Sequence, residues 1–222
     1  MTEEHSSQKP TLAILGGTGK EGPGLAMRWA VAGYPILIGS RQQEKAQATA
    51  EELQQMLNLE NIQGFENAEA ARRADISILT VKFTAHEAAV SGLRAALQGK
   101  ILVDATARVD FRSPEPPGPP AAAEYAQETL GANVRVVAAF QNVPAHVLRK
   151  NLDEPLGLDV LVCAEDQEAA QIVIQLAQDA GMRGYYAGGL ANAIVVEGLT
   201  SILISLNKHY DTKTASIAVT GI

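Results

Sequence analysis

The feature that most constrains this chain is the run Leu12-Ala13-Ile14-Leu15-Gly16-Gly17-Thr18-Gly19-Lys20-Glu21-Gly22. A short apolar strand feeds a glycine-rich turn, and the turn feeds an amphipathic helix. Gly17, Gly19 and Gly22 fit the G-x-G-x-x-G spacing. In a βαβ unit the first glycine permits a tight turn, the second lets a pyrophosphate approach the backbone, and the third lets helix and strand pack closely. The helix N-terminus then turns unpaired N–H groups and a partial positive charge toward the phosphates. A second strand, Ile36-Leu37-Ile38, follows about twenty residues along, where such a unit needs one.

The end of that second strand selects the dinucleotide. An Asp or Glu there accepts from a free ribose 2′-hydroxyl, and the same carboxylate repels a 2′-phosphate. This chain has Gly39, Ser40 and Arg41 instead, with Lys45 one helical turn later. A hydroxyl, a forked guanidinium and a point charge suit a phosphate. The reading is NADP(H) over NAD(H).

The 222 residues suffice for one sizeable core. Apolar residues make up 46% and charged residues 19%, an ordinary globular composition, and the net charge of −7 argues against a nucleic-acid partner. The lone Cys163 excludes a disulfide framework and reads as a small buried apolar residue. The polar first ten residues lack a signal-peptide core, so a loose tail and a cytoplasmic protein are expected. The apolar stretch Leu190 to Leu206 is interrupted by Asn192, Glu197, Thr200, Ser201 and Ser205. It reads as a helix buried on most faces rather than a membrane span, part of its cover coming from a second subunit in a homodimer.

Strand-like runs are expected over 12–15, 36–38, 76–81, 101–103, 134–138, 159–163 and, more weakly, 183–186. Helices are expected over 22–32, 42–57, 66–73, 85–97, 121–130, 167–180 and 190–210. The alternation predicts an α/β fold, a Rossmann-type, doubly wound, mainly parallel sheet with helices on both faces. The division expected is a tail over 1–10, an NADP-binding domain over 11–140, and a C-terminal substrate-binding and dimerisation region with a helical extension over 141–222. The segment 112–120, RSPEPPGPP, is a stiff, extended connector able to line a ligand crevice.

Ligands of open α/β sheets bind at the carboxyl ends of the strands. Candidate contacts there are Thr80, Val81 and Lys82, then Ala105 with Thr106 and Arg108, then Gln141, Asn142, Val143 and Pro144. No metal-spaced His pair or nucleophile motif is present, and no catalytic or metal-binding residue is assigned. His5, His86, His146 and His209 are scattered, and only His146 falls near the substrate loop. Asp104 reads as a loop hydrogen-bonder. Glu197 pairs with Lys or Arg, faces the cavity or sits at a subunit boundary. Without an acid–base pair, the set favours hydride transfer between two organic cofactors, which needs stacking, orientation and exclusion of water.

The run ILGGTGKEGPGLAMRWAVAGYPILIGSRQQEKAQ resembles the N-terminus of the NADPH-dependent oxidoreductases of the deazaflavin coenzyme F-420. The resemblance continues through ADISILTV, VPA followed by NLD, and EGLTSILISLNKHY, from residue 11 to about 210. It implies a homodimeric enzyme passing hydride reversibly between NADPH and F-420. It places NADP contacts at Thr18, Lys20, Ser40, Arg41 and Lys45, the nicotinamide near Thr80-Val81, and the deazaflavin by Val143-Pro144-Ala145. There are departures: Gln141 stands where some members have His, and Lys82 where relatives have Pro in a loop one residue shorter. The 112–120 loop has no counterpart there. The departures lie at the second-substrate site, so two alternatives stay open. One is an NADP-dependent reductase of an imine, ketone or flavin-like acceptor, and the other a non-catalytic NADP-binding redox sensor.

Overall fold

A computed structural model describes residues 9–222. Eight strands form one sheet: β1 (Leu12–Leu15), β2 (Ile36–Ser40), β3 (Ile62–Glu66), β4 (Ile76–Leu79), β5 (Ile101–Asp104), β6 (Arg135–Ala138), β7 (Asp159–Ala164) and β8 (Arg183–Tyr186). Their spatial order is β3-β2-β1-β4-β5-β6-β7-β8. The first six are parallel in the order of a dinucleotide-binding sheet. β7 then runs antiparallel to β6, and β8 parallel to β7. The order reverses between β1 and β4, which opens a crevice at their carboxyl ends.

Seven α-helices join them: α1 (Gly22–Val31), α2 (Gln43–Leu57), α3 (Asn67–Arg73), α4 (His86–Leu93), α5 (Ala122–Leu130), α6 (Gln167–Asp179) and α7 (Ala193–His209). Alternate residues of each strand serve opposite faces. Leu12 and Ile14 pack under α1, α2 and α6 with Leu25, Trp29, Leu53 and Leu176. Ala13 and Leu15 pack on the other side with Ala70, Val90, Ala126 and Val196 of α3, α4, α5 and α7. With helices on both faces the central strands are close to continuous apolar runs, as in LAIL of β1.

β3 is the element the sequence reading lacks. IQGFE carries Gln63, Gly64 and Glu66, and it forms the sheet edge. Gly64 is essential there: a Cβ on it would lie 2.3 Å from the backbone of Ala46 and Gln47 in α2. No side chain fits where helix and strand meet so closely.

Helix α7 is covered by this chain along one side only. By length and composition alone Leu190–His209 could cross a membrane. Its burial is confined to one stripe, Ala193, Val196, Glu197, Thr200, Ser201 and Leu203, instead of most of its faces. Val195, Ile202 and Leu206 on the other side are exposed. Cys163 is buried and free, as expected.

Candidate active site

The glycine loop closes the carboxyl end of β1. Its left-handed residue is Gly16 (φ +73°), so Gly16 makes the tight turn that the sequence reading gave to Gly17. Gly17 is needed for space: its Cβ would sit 2.5 Å from the Ile14 carbonyl oxygen. Gly22 is needed for close packing, with a Cβ there 2.7 Å from Gly17 Cα. Gly19 is different. Its Cβ would meet nothing nearer than the Gly16 oxygen at 3.4 Å, and the residue is exposed. The fold leaves that space open.

The loop is fixed to its surroundings by its own backbone. Gly17 N donates to the Gly39 carbonyl at the end of β2 (2.9 Å), and Gly16 N to Asn67 Oδ1 at the start of α3 (3.1 Å). Asn67 carries no signal in the sequence because it follows β3, an edge strand without an apolar run. Gly39 makes room for it, since a Cβ there would lie 2.7 Å from Asn67 Oδ1.

At the same strand end Ser40 is buried, and its Oγ accepts from Gln42 N (3.2 Å), which leaves the hydroxyl proton free to donate. Arg41 and Lys45 are exposed beside it. Neither makes a salt bridge among the described residues. Thr18 is half-buried and Lys20 exposed on the adjoining loop.

Across the crevice, Thr80 and Val81 leave β4. Thr80 N and Oγ1 both donate to the Leu15 carbonyl (2.9 and 3.1 Å), which ties this loop to the glycine loop. Val81 Cγ1 would be 2.7 Å from a Cβ on Gly16. Lys82 is exposed at the outer edge.

The third wall comes from the ends of β5 and β6. Phe140 takes a left-handed φ of +75°, uncommon for a bulky residue, and packs its ring edge-on against Trp29 with centroids 5.7 Å apart. This turn brings Gln141 and Asn142 back over the sheet. Gln141 Nε2 donates to the Asp104 carbonyl (2.9 Å). Asn142 Nδ2 donates to Val196 O (2.9 Å) and Thr200 Oγ1 (3.0 Å), and the Thr200 hydroxyl donates to Gln141 O (3.0 Å). Ala105 and Val143 are buried, with Pro144 half-buried after them. Three polar atoms here are buried without a partner: Thr106 Oγ1, Gln141 Oε1 and Asn142 Oδ1. Buried polar groups are normally satisfied. Their unmet capacity suits a polar, planar ligand edge or bound water at this end of the sheet.

The histidine that matters structurally is His86. Its Nε2 lies 2.6 Å from Asp104 Oδ2, both side chains being buried, while Asp104 Oδ1 accepts from Thr106 N (3.0 Å). Asp104 is thus the loop hydrogen-bonder expected, with His86 as its partner. His146 and His209 are exposed, and His5 lies outside the described residues.

Glu197 proves to be a cap and an ion-pair partner. Helix α5 opens on three alanines and has no Ser, Thr or Asp of its own to receive its first N–H groups. Glu197 Oε1, reaching over from α7, accepts from Ala122 N (2.6 Å), and Oε2 accepts from Arg108 N (3.2 Å). The Arg108 guanidinium stands 3.5 Å away. Burial pushes the Glu197 carboxyl upward, and these N–H groups and the Arg108 charge oppose that push. The 112–120 loop is held to the same helix: Ser201 Oγ donates to Glu115 O (2.8 Å) and Lys208 Nζ to Arg112 O (3.1 Å).

The segment after Pro144 hangs on Arg28 of α1. Its buried guanidinium donates to five carbonyls: Leu148 (3.0 Å), Lys150 (2.7 Å), Asn151 (3.4 Å), Glu154 (3.3 Å) and Ala180 (3.2 Å). The helix approaches this segment through Gly24, whose Cβ would be 2.6 Å from Leu148 Cβ.

Comparison with known proteins places this geometry in a family. Residues 11–108 match the family described as NADP oxidoreductase, coenzyme F420-dependent. The chain is 39% identical to the F420-dependent NADP reductase of Methanocaldococcus jannaschii, over 95% of this chain and 98% of that one. It is 35% identical to the enzyme of the same name from Methanothermobacter marburgensis, with the same coverage of 95% and 98%. A solved structure from Arthrobacter sp. FB24 shares the fold, with a TM-score of 0.79 at 24% identity, covering 96% of this chain and 100% of that one. The chain belongs to the family of F420-dependent NADP reductases.

Proposed function

We propose that this protein transfers hydride reversibly between NADPH and the deazaflavin coenzyme F-420. The reading is supported by full-length similarity to F420-dependent NADP reductases. The observation that carries it is the corner at the end of β2, where a hydroxyl and two free cations stand in place of an acid. In this reading Gly17, Thr18, Gly19, Lys20 and Gly22 receive the pyrophosphate, and Ser40, Arg41 and Lys45 hold the 2′-phosphate. Thr80, Val81 and Lys82 border the nicotinamide. Ala105, Gln141, Asn142, Val143 and Pro144 border the deazaflavin, which supplies the carbon that accepts the hydride. The protein contributes orientation and exclusion of water.

The test is rapid mixing of the enzyme with NADPH and oxidised F-420. Loss of the deazaflavin absorbance together with NADPH oxidation is expected. Failure of F-420 to oxidise NADPH, with an imine or ketone serving instead, refutes the reading.

The working unit in this proposal is a homodimer. The exposed face of α7, with Val195, Ile202 and Leu206, is apolar and lies opposite the helix stripe that holds Gln141 and Asn142. Light scattering is expected to give twice the chain mass for the native protein and a single chain mass for Ile202→Asp. A monomeric native protein contradicts this.

A further inference from the structure

Reduction of an organic acceptor by NADPH consumes a proton as well as a hydride. His86 is committed to Asp104 inside the fold, and His146 is exposed. Glu21 has a different setting. It lies in the glycine loop between Gly19 and Gly22, already in helical conformation (φ −87°, ψ −46°) one residue ahead of α1. Residues three and seven positions further on lie on its face of the helix. These are Gly24, against Leu148, and Arg28, which holds the carbonyls of Leu148 and Lys150. That face therefore looks at the segment following Pro144. Helical side chains lean toward the N-terminus, which directs Glu21 past the start of α1, toward the gap between the glycine loop and that segment. Its carboxyl does not cap the helix, and Oε1 is enclosed without a hydrogen-bond partner.

We propose that Glu21 is the acid of this site and donates a proton to the acceptor as the acceptor takes the hydride. The inference rests on the reading of the site as an NADPH-dependent reductase of F-420. The C4–H bond of the nicotinamide breaks, and its electron pair forms a C–H bond on the acceptor ring. The Glu21 O–H bond breaks, and an N–H bond forms on the same ring. NADPH is oxidised, the acceptor is reduced, and the carboxylate regains its proton from water.

Glu21 is suited to this because its side chain is half-buried with Oε1 enclosed and unpaired, a setting that disfavours the charged form. Burial pushes its carboxyl up to about 8, which favours the protonated acid that the step requires. No charged neighbour is a cause of that shift. Lys20 beside it is exposed, as are Lys82 across the crevice and His146, Arg149 and Lys150 on the facing segment. The Arg28 guanidinium is occupied by backbone carbonyls.

The test compares wild type with Glu21→Gln and Glu21→Leu, in the absence and presence of substrates. Without substrates the readout is Tm against pH. The folded carboxyl keeps its proton up to about 8, whereas the unfolded one loses it near 4.5. Wild-type stability therefore falls, relative to Glu21→Gln, as pH rises from 4.5 to 8, and the gap is constant above that window. With NADPH and F-420, both variants are expected to lose about 10²-fold in kcat, to keep the KM for NADPH within about twofold, and to lack the fall in rate near pH 8 that wild type shows. Glu21→Leu separates the missing proton from any misfolding, because an apolar side chain tolerates the enclosure. A kcat within about threefold of wild type in Glu21→Gln, with the alkaline limb retained, overturns the inference while the F-420 reading stands. So does a pH-independent Tm difference. A wild type inert toward F-420 defeats that reading and the inference together.

Discussion

Arg28→Met is expected to lower the stability of the fold by about 3 kcal/mol or more, read as a fall in the urea midpoint at unchanged slope. The guanidinium is buried, its partners are all backbone carbonyls, and none is a carboxylate. Removing it strands the carbonyls of Leu148 and Ala180 inside the protein, where each unmet acceptor costs about 1–3 kcal/mol. The carbonyls of Lys150, Asn151 and Glu154 belong to exposed residues and turn to water, so they add less. Lysine should recover little, since three donors on one point cannot span five acceptors around a planar fork. The same loss frees the segment from Leu148 to Glu154, so the KM for the acceptor should rise more than the KM for NADPH. A midpoint unchanged from wild type would contradict the anchoring role.

Arg41→Ala should weaken NADPH binding by about one to two orders of magnitude and leave NADH nearly untouched. A hydrogen bond to a charged group contributes about 1.5–3 kcal/mol. Arg41 and Lys45 are exposed and make no salt bridge among the described residues, so an arriving phosphate displaces water rather than a carboxylate. Salt screens an exposed contact of this kind, so the loss should shrink in concentrated salt. Fluorescence titration of both nucleotides against wild type and variant reads the difference. Equal weakening of the two would mean that Arg41 supports the loop and not the phosphate.

The parts of the fold legible in the sequence are those in which local pattern and tertiary role agree. LAIL, ILIGS and ISIL are buried on both faces and read as parallel strands from their apolar runs alone. The glycine turn was legible because each glycine answers a local need, although the left-handed turn falls one residue earlier than the motif suggested. β3 was hidden because an edge strand with Gln63, Gly64 and Glu66 has no apolar run to betray it. The remaining features are long-range. His86 and Asp104 are 18 residues apart, and Glu197 meets Ala122 and Arg108 across 75 and 89 residues. No spacing rule links such positions, because the sheet order and the placement of α7 bring them together. Arg28 had no signal as an anchor for the same reason, its partners lying 120 to 152 residues away. One unusual feature did point to something structural: the carboxylate of Glu197 inside an apolar helix.

A crystal structure with NADP bound is the most direct test of the cationic corner on which the cofactor assignment depends. The account predicts the 2′-phosphate seated on the Ser40 hydroxyl and the Arg41 guanidinium, with the pyrophosphate over Gly19. An adenosine bound elsewhere, with that corner left to solvent, would contradict it.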